Sequence, residues 1–424
     1  MTPSTSSPGG RLVELDWLRI GAFGLLILYH VGMFYVSWDW HVKSPRLIPA
    51  LEVPMRLMSP WRMSLLFVVS GAATALLAAG GRPLAGPRTR RLLWPLLFGM
   101  AVVVPPQAYL EVVEKVGYAG SYLDFLALYY TGYGGFCRGD DCLDLPTWNH
   151  LWFVAYLWVY TLAWAAGRGA WRRLGGRGPF TWPAWLAGGA RLIWAPWLLF
   201  AAARIGLVQR FPTTHDLLHD HYMHVLYGSM FALGAMLFGH RDDRHGAWAA
   251  AVRLRWWALG LAVAASALSE LGARWLGDGG PPPADGWLAA LRANNALRQW
   301  APIVALLGFA RRHLAGRDHP WRAWVGGGVF AFYIVHQTVT VVAGHALAPL
   351  GWPLWVEAPA LVALTVAGGV LAYEAARRVA WLQPVMGVAP RAISSTAAGA
   401  PARASCSRPP CASAAPGTRP PSGG

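Results

Sequence analysis

With 55% hydrophobic residues and only 13% charged ones in 424 positions, and a positive mean hydropathy, the chain is not an ordinary soluble domain. Its formal charge of +16 is explained without nucleic acid, because the arginines gather at one side of repeated apolar runs. Those runs, read between Arg-rich or Pro/Gly-rich breaks, predict an all-α polytopic membrane protein of about ten transmembrane helices. They fall at roughly 15–36, 61–80, 92–111, 149–167, 190–208, 222–239, 254–275, 288–310, 325–347 and 355–376. Counted on alternate sides of that layout, 25 of the 36 Lys and Arg lie on one side, which places both termini in the cytoplasm.

Residues 1–10 are polar and expected to be disordered, and the first apolar run is too long for a signal h-region, so it reads as an uncleaved helix. That run, LDWLRIGAFGLLILYHVGMFYV, contains Asp16, Arg19 and His30. The eleven residues from Arg19 to His30 give roughly 16 Å of rise and 20° beyond three full turns, so both side chains point the same way. Asp16 lies within roughly 40° of that line. Ionisable residues inside a span are costly unless they face a partner or water, so the stripe reads as functional.

The outer loop SWDWHVKSPRLIPALEVPMRLMSP offers His41 and Lys43 to an acceptor, or is an ordinary interfacial loop. In the second span, Ser70 and Gly71 are small residues suited to close helix packing. The inner loop that follows brings Arg88, Arg90 and Arg91 to the mouth of the third span, the donor set a polyphosphate needs. Pro95, Pro105 and Pro106 predict a kinked or broken third span. Cys137 and Cys142, in the outer segment 112–148, read as a short disulfide loop, zinc being the alternative.

His150 reads as a helix-end interfacial residue. His215, His219, His221 and His224 crowd the loop between the fifth and sixth spans, and the first two have helical i, i+4 spacing. Substrate or interface contact is preferred there over metal, and no metal site is expected. Span nine places His336 and Gln337 near mid-depth. From about residue 391 the Pro/Ser/Ala-rich tail, with Cys406 and Cys411, cannot bury a core and is expected to be disordered, which leaves one membrane domain over 11–380.

Arg19 and His30, LDWLR around them, LLFVVSG, RTRRLLWP, HLWFVAYLW and FAFYIVH follow one another in the order seen in the acyltransferase-3 integral membrane proteins, and over roughly residues 11–380 the chain resembles that family. The WDWHVKS loop and compact layout look most like its glucan biosynthesis protein C branch, associated with succinylation of periplasmic glucans. The resemblance implies an O-acyltransferase of the bacterial inner membrane. It would move acetyl or succinyl from cytoplasmic acyl-CoA to a glycan or other envelope acceptor, with the bilayer as its surroundings and no nucleic acid as partner.

Transfer from a thioester to an alcohol needs a base, and His30, towards the outer half of the first span, is the candidate. Arg19, with Arg88, Arg90 and Arg91, would hold the CoA phosphates. Asp16 would orient Arg19, and Ser70 and His336 would support the site or touch substrate. No Ser or Cys nucleophile is well placed, which favours direct attack. A transporter or flippase would share the ten spans but should show inverted repeats, which are not evident. A haem carrier would need more His pairs.

Overall fold

The computed structural model describes residues 12–80, 83–176, 184–239, 246–277 and 285–389. Segments 1–10 and 391–424, with Cys406 and Cys411, and the anchors Arg11, Arg82, Arg177, Arg241 and Arg244 lie outside the described residues. The architecture is helical. In chain order it comprises α1 Val13–Tyr35, α2 Glu52–Ala79, α3 Ala85–Phe98, α4 Pro105–Val116, α5 Tyr122–Thr131, α6 Trp152–Arg173 and a short α7 Ala184–Ala187. Then follow α8 Arg191–Leu207, α9 His221–Phe238, α10 Ala247–Gly277, α11 Asp285–His313, α12 Pro320–Leu347, α13 Leu354–Arg378 and a short α14 Leu382–Val385. The only strands among the described residues are Cys137–Arg138 and Asp141–Cys142, a two-residue hairpin closed by a disulfide between Cys137 and Cys142.

A helix covers each of the ten apolar runs. Five of them, α1, α2, α10, α12 and α13, are long and apolar enough to cross a membrane alone, and the bent pair α3 and α4 makes a sixth. The others fall short for local reasons: α8 is 17 residues long, and α11 carries Arg292, Asn294, Asn295, Arg298 and Gln299 along its first half.

α1 packs on α12, α2, α11 and α13, so its polar stripe is enclosed by other helices. At its N-terminal end, Glu14 pairs with Arg311 of α11, and Asp16 Oδ2 lies 2.6 Å from Arg322 Nη1 of α12. On the periphery, α10 and α13 turn Trp256, Trp257, Leu271, Trp355 and Leu371 outward, an apolar surface suited to lipid. α2 and α9 approach closely where Gly71 and Gly234 face each other: a Cβ at Gly71 would overlap the Phe231 carbonyl, and one at Gly234 that of Val68.

The third predicted span is broken where its prolines dictate. Pro105 and Pro106 have no N–H to return to the preceding turn, so the chain widens into a π-turn over Gly99–Val103 and bends by 44°. The carbonyls released there find partners. Tyr129 Oη donates to Met100 O at 2.8 Å, Tyr130 Oη to Ala101 O at 2.5 Å, and Thr338 Oγ1 to Val103 O at 2.8 Å. Thr338 belongs to α12, so the break fastens α4 beside the helix that carries His336.

Candidate functional site

α1 and α12 bring together two histidines 306 residues apart. His30 Nδ1 lies 2.8 Å from His336 Nε2, with the rings stacked at 4.9 Å. Trp40 also stacks on His30 at 6.4 Å, and Phe23 meets His336 edge-on at 5.5 Å. His336 is fully buried, and its Nδ1 lies 2.7 Å from the Tyr333 carbonyl. A carbonyl only accepts, so His336 Nδ1 carries the proton and its Nε2 is an acceptor in the uncharged ring. The proton between the rings therefore sits on His30 Nδ1. His30 Nε2 is left with a lone pair, which is the arrangement a general base requires.

Beyond this pair, one polar network runs between α12, α4, the turn that precedes α6 and the loop after α1. His150 Nε2 donates to Ile334 O at 3.0 Å and Tyr333 O at 3.2 Å, and its ring stands edge-on to His336 at 5.1 Å. Gln107 reaches its Nδ1 at 3.5 Å and accepts from Gln337 Nε2 at 3.1 Å. Gln337 also donates to His41 Nε2 at 2.7 Å, and His41 Nδ1 donates to Glu111 Oε2 at 2.5 Å. Lys115 completes the line, 2.9 Å from Glu111 Oε1 and 2.7 Å from Asp39 Oδ2. Satisfied in this way, buried polar groups fix one arrangement of the helices around the histidine pair.

At the other end of α1, Arg19 Nη2 donates to Gly326 O at 2.9 Å and lies 3.1 Å from Asp16 Oδ1. Asp16 thus holds both Arg19 and Arg322. Arg88 Nη2 donates to Thr74 Oγ1 at 2.9 Å, and Thr74 in turn donates to Ser70 O at 2.7 Å. Arg88 stands in the electrostatic field of both Arg91, which is exposed, and Arg19. Arg90 is exposed and about 200° round α3 from Arg88, and it does not share that face. Ser70 is half-buried and enters the cluster through its backbone carbonyl, beneath Thr74 and Arg88.

Several sequence expectations change at the structure. His150 is buried against His336 rather than interfacial, because the chain turns through a 3-10 segment, Asn149–Leu151, before α6 begins. His215 and His219 do not share a helix: His215 has a φ of +57° and α9 starts only at His221. His215 packs against Trp152 with the rings tilted and their centres 4.3 Å apart, while His219 Nδ1 lies 2.6 Å from Asp216 Oδ2. Burial pushes the His215 imidazole down against the pull of Asp220. Lys43 is turned onto the carbonyls of Met33, Val36 and Trp38 at the end of α1. Among the described residues no group of three His, Cys, Asp or Glu is arranged to hold a metal.

Gln107, Glu111 and Arg62 are among the polar residues of the region that sequence reasoning missed. Each is a polar or charged side chain within an apolar or membrane-depth helix, which is the signal that singled out His30. The acyltransferase-3 family model, an acyltransferase domain, matches residues 12–374. No curated protein and no solved structure matches the chain.

Proposed function

Because the chain belongs to the acyltransferase-3 family and is a membrane acyltransferase, we propose that it moves acetyl or succinyl from cytoplasmic acyl-CoA to a hydroxyl of a periplasmic or cell-envelope glycan. In this reading it crosses the bacterial inner membrane ten times with both termini in the cytoplasm. The charge bias of the loops supports that orientation. The succinyl and glucan chemistry rests on the likeness of the outer loop to one branch of the family.

One observation carries the mechanism: the His336 ring, fixed by the Tyr333 carbonyl, leaves His30 Nε2 as the unprotonated nitrogen. Arg19, Arg88 and Arg91, at the cytoplasmic end, would bind CoA phosphates, which guanidinium groups grip through charge-assisted hydrogen bonds. Arg19 and His30 are separated by roughly 16 Å of helix rise, a distance that an extended pantetheine arm spans. The acceptor hydroxyl then gives its proton to His30 Nε2 as its oxygen attacks the thioester carbon. The same nitrogen returns the proton to the departing thiolate. No serine or cysteine is hydrogen-bonded to His30 among the described residues, which supports direct transfer without an acyl-enzyme.

The test is transfer of label. Purified protein incubated with radiolabelled acetyl-CoA or succinyl-CoA and an envelope glycan extract should yield labelled glycan. Solute movement across vesicles without covalent change would instead identify a transporter.

A further inference from the structure

Three arginines among the described residues are buried: Arg62, Arg298 and Arg322, with 6%, 8% and 5% of their surface exposed. Arg322 has Asp16 at 2.6 Å and Asp318 at 2.7 Å. Arg298 donates to the Arg56 carbonyl at 2.9 Å and feels the charge of Glu270. Arg62, in α2, has no carboxylate partner among the described residues, and its Nε and Nη1 have no hydrogen-bond partner. Its guanidinium carbon lies 3.4 Å from the centre of the Tyr29 ring, and that ring is 6.1 Å from His30. Its charge reaches both His30 and His336. A cation held this deep without a carboxylate is costly, and what offsets it is Tyr29, through its ring face and a side-chain hydrogen bond, together with the field of Tyr227.

We propose that Arg62 is the oxyanion-stabilising residue of the acyl transfer, its free N–H groups directed at the thioester carbonyl oxygen when the acyl group lies beside His30. This inference rests on the acyl-transfer reading above. In the step, the acceptor oxygen forms a bond to the carbonyl carbon, the C=O π pair moves onto the carbonyl oxygen, and the hydroxyl proton passes to His30 Nε2. The pair then returns, the C–S bond breaks, and the thiolate leaves with the proton from His30. The substrate is neutral at that oxygen before and after, so a fixed cation with no carboxylate partner, its Nε and Nη1 N–H groups unused, discriminates in favour of the intermediate. Tyr29 holds the guanidinium plane in place without neutralising it.

The experiment compares wild type with Arg62→Met and Arg62→Lys, purified in the same detergent, using acetyl-CoA and succinyl-CoA as donors and the envelope glycan extract as acceptor. Arg62→Met should lower kcat by about 10²–10³ with both donors while KM for each donor stays within about threefold. Its thermal midpoint should equal or exceed that of wild type, because an unpaired buried charge has been removed. Arg62→Lys should recover part of the lost rate.

A kcat for Arg62→Met within about fivefold of wild type overturns the proposal. So does a loss confined to succinyl-CoA, which would mean that the guanidinium holds the far carboxylate of the acyl group. Unfolding of both variants would make Arg62 a structural residue and overturn it as well. If wild type itself transfers no label from either donor, the acyl-transfer reading fails and this inference falls with it.

Discussion

Replacing His336 by Phe removes the acceptor that keeps the His30 proton on Nδ1, while leaving a ring of similar breadth in a fully buried site. The lost hydrogen bond is worth about 0.5–1.5 kcal/mol, and a His30 N–H stranded in an apolar pocket adds about 1–3 kcal/mol. Relieving that strain drives His30 towards the tautomer protonated on Nε2, which cannot take the acceptor proton. A loss of about 1.4–2.8 kcal/mol from these two terms corresponds to about 10–100-fold, and His336→Phe should lower kcat by that amount with KM for acyl-CoA unchanged. His336→Gln is the discriminating control. Its amide nitrogen can donate to Tyr333 O and its oxygen can accept from His30 Nδ1, so most of the rate should return. The assay is label transfer to glycan at fixed pH with both variants at equal folded concentration. A Phe variant as fast as wild type, or a Gln variant as slow as the Phe one, would refute the tautomer argument.

Three further comparisons follow from the same geometry. Arg88→Ala should raise KM for acyl-CoA by roughly 10–100-fold, the worth of a charge-assisted hydrogen bond, whereas Arg90→Ala should leave it near wild type; equal effects would disprove the assigned helix face. Gly71→Leu should lower the thermal midpoint by forcing α2 from α9, a cost of about 1–3 kcal/mol or more. Gly21→Leu, where a Cβ meets nothing within 4 Å, should not. Burial pushes Lys43 down to about 8 against the pull of Asp39 and Glu52, so NMR of the dimethylated lysines should show one signal titrating near that pH and absent from Lys43→Arg. Between about 8 and the ordinary lysine value the folded state binds fewer protons than the unfolded chain, so the Lys43 contribution to stability rises with pH across that window.

What the sequence made legible was what helical periodicity encodes. The register of Arg19 and His30 follows from 3.6 residues per turn, and the break in the third span from two adjacent prolines. Which groups answer the freed carbonyls was not legible, because Tyr129, Tyr130 and Thr338 come from elements that only the fold brings alongside. The same limit hid the pairing of His30 with His336, 306 residues away, and made His150 look like a helix-end residue. Proximity along the chain groups Arg90 with Arg88, although its helical phase separates them. Arg62 escaped notice because arginines near a span mouth are ordinary, and only its burial without a carboxylate sets it apart.

The central claim is that His30 Nε2 takes the acceptor proton. It is tested most directly by His30→Ala in the label-transfer assay, with membrane insertion and acyl-CoA binding confirmed. A rate lowered by about 10²–10⁴, with donor affinity retained, is the predicted result. Transfer within about tenfold of wild type would contradict it.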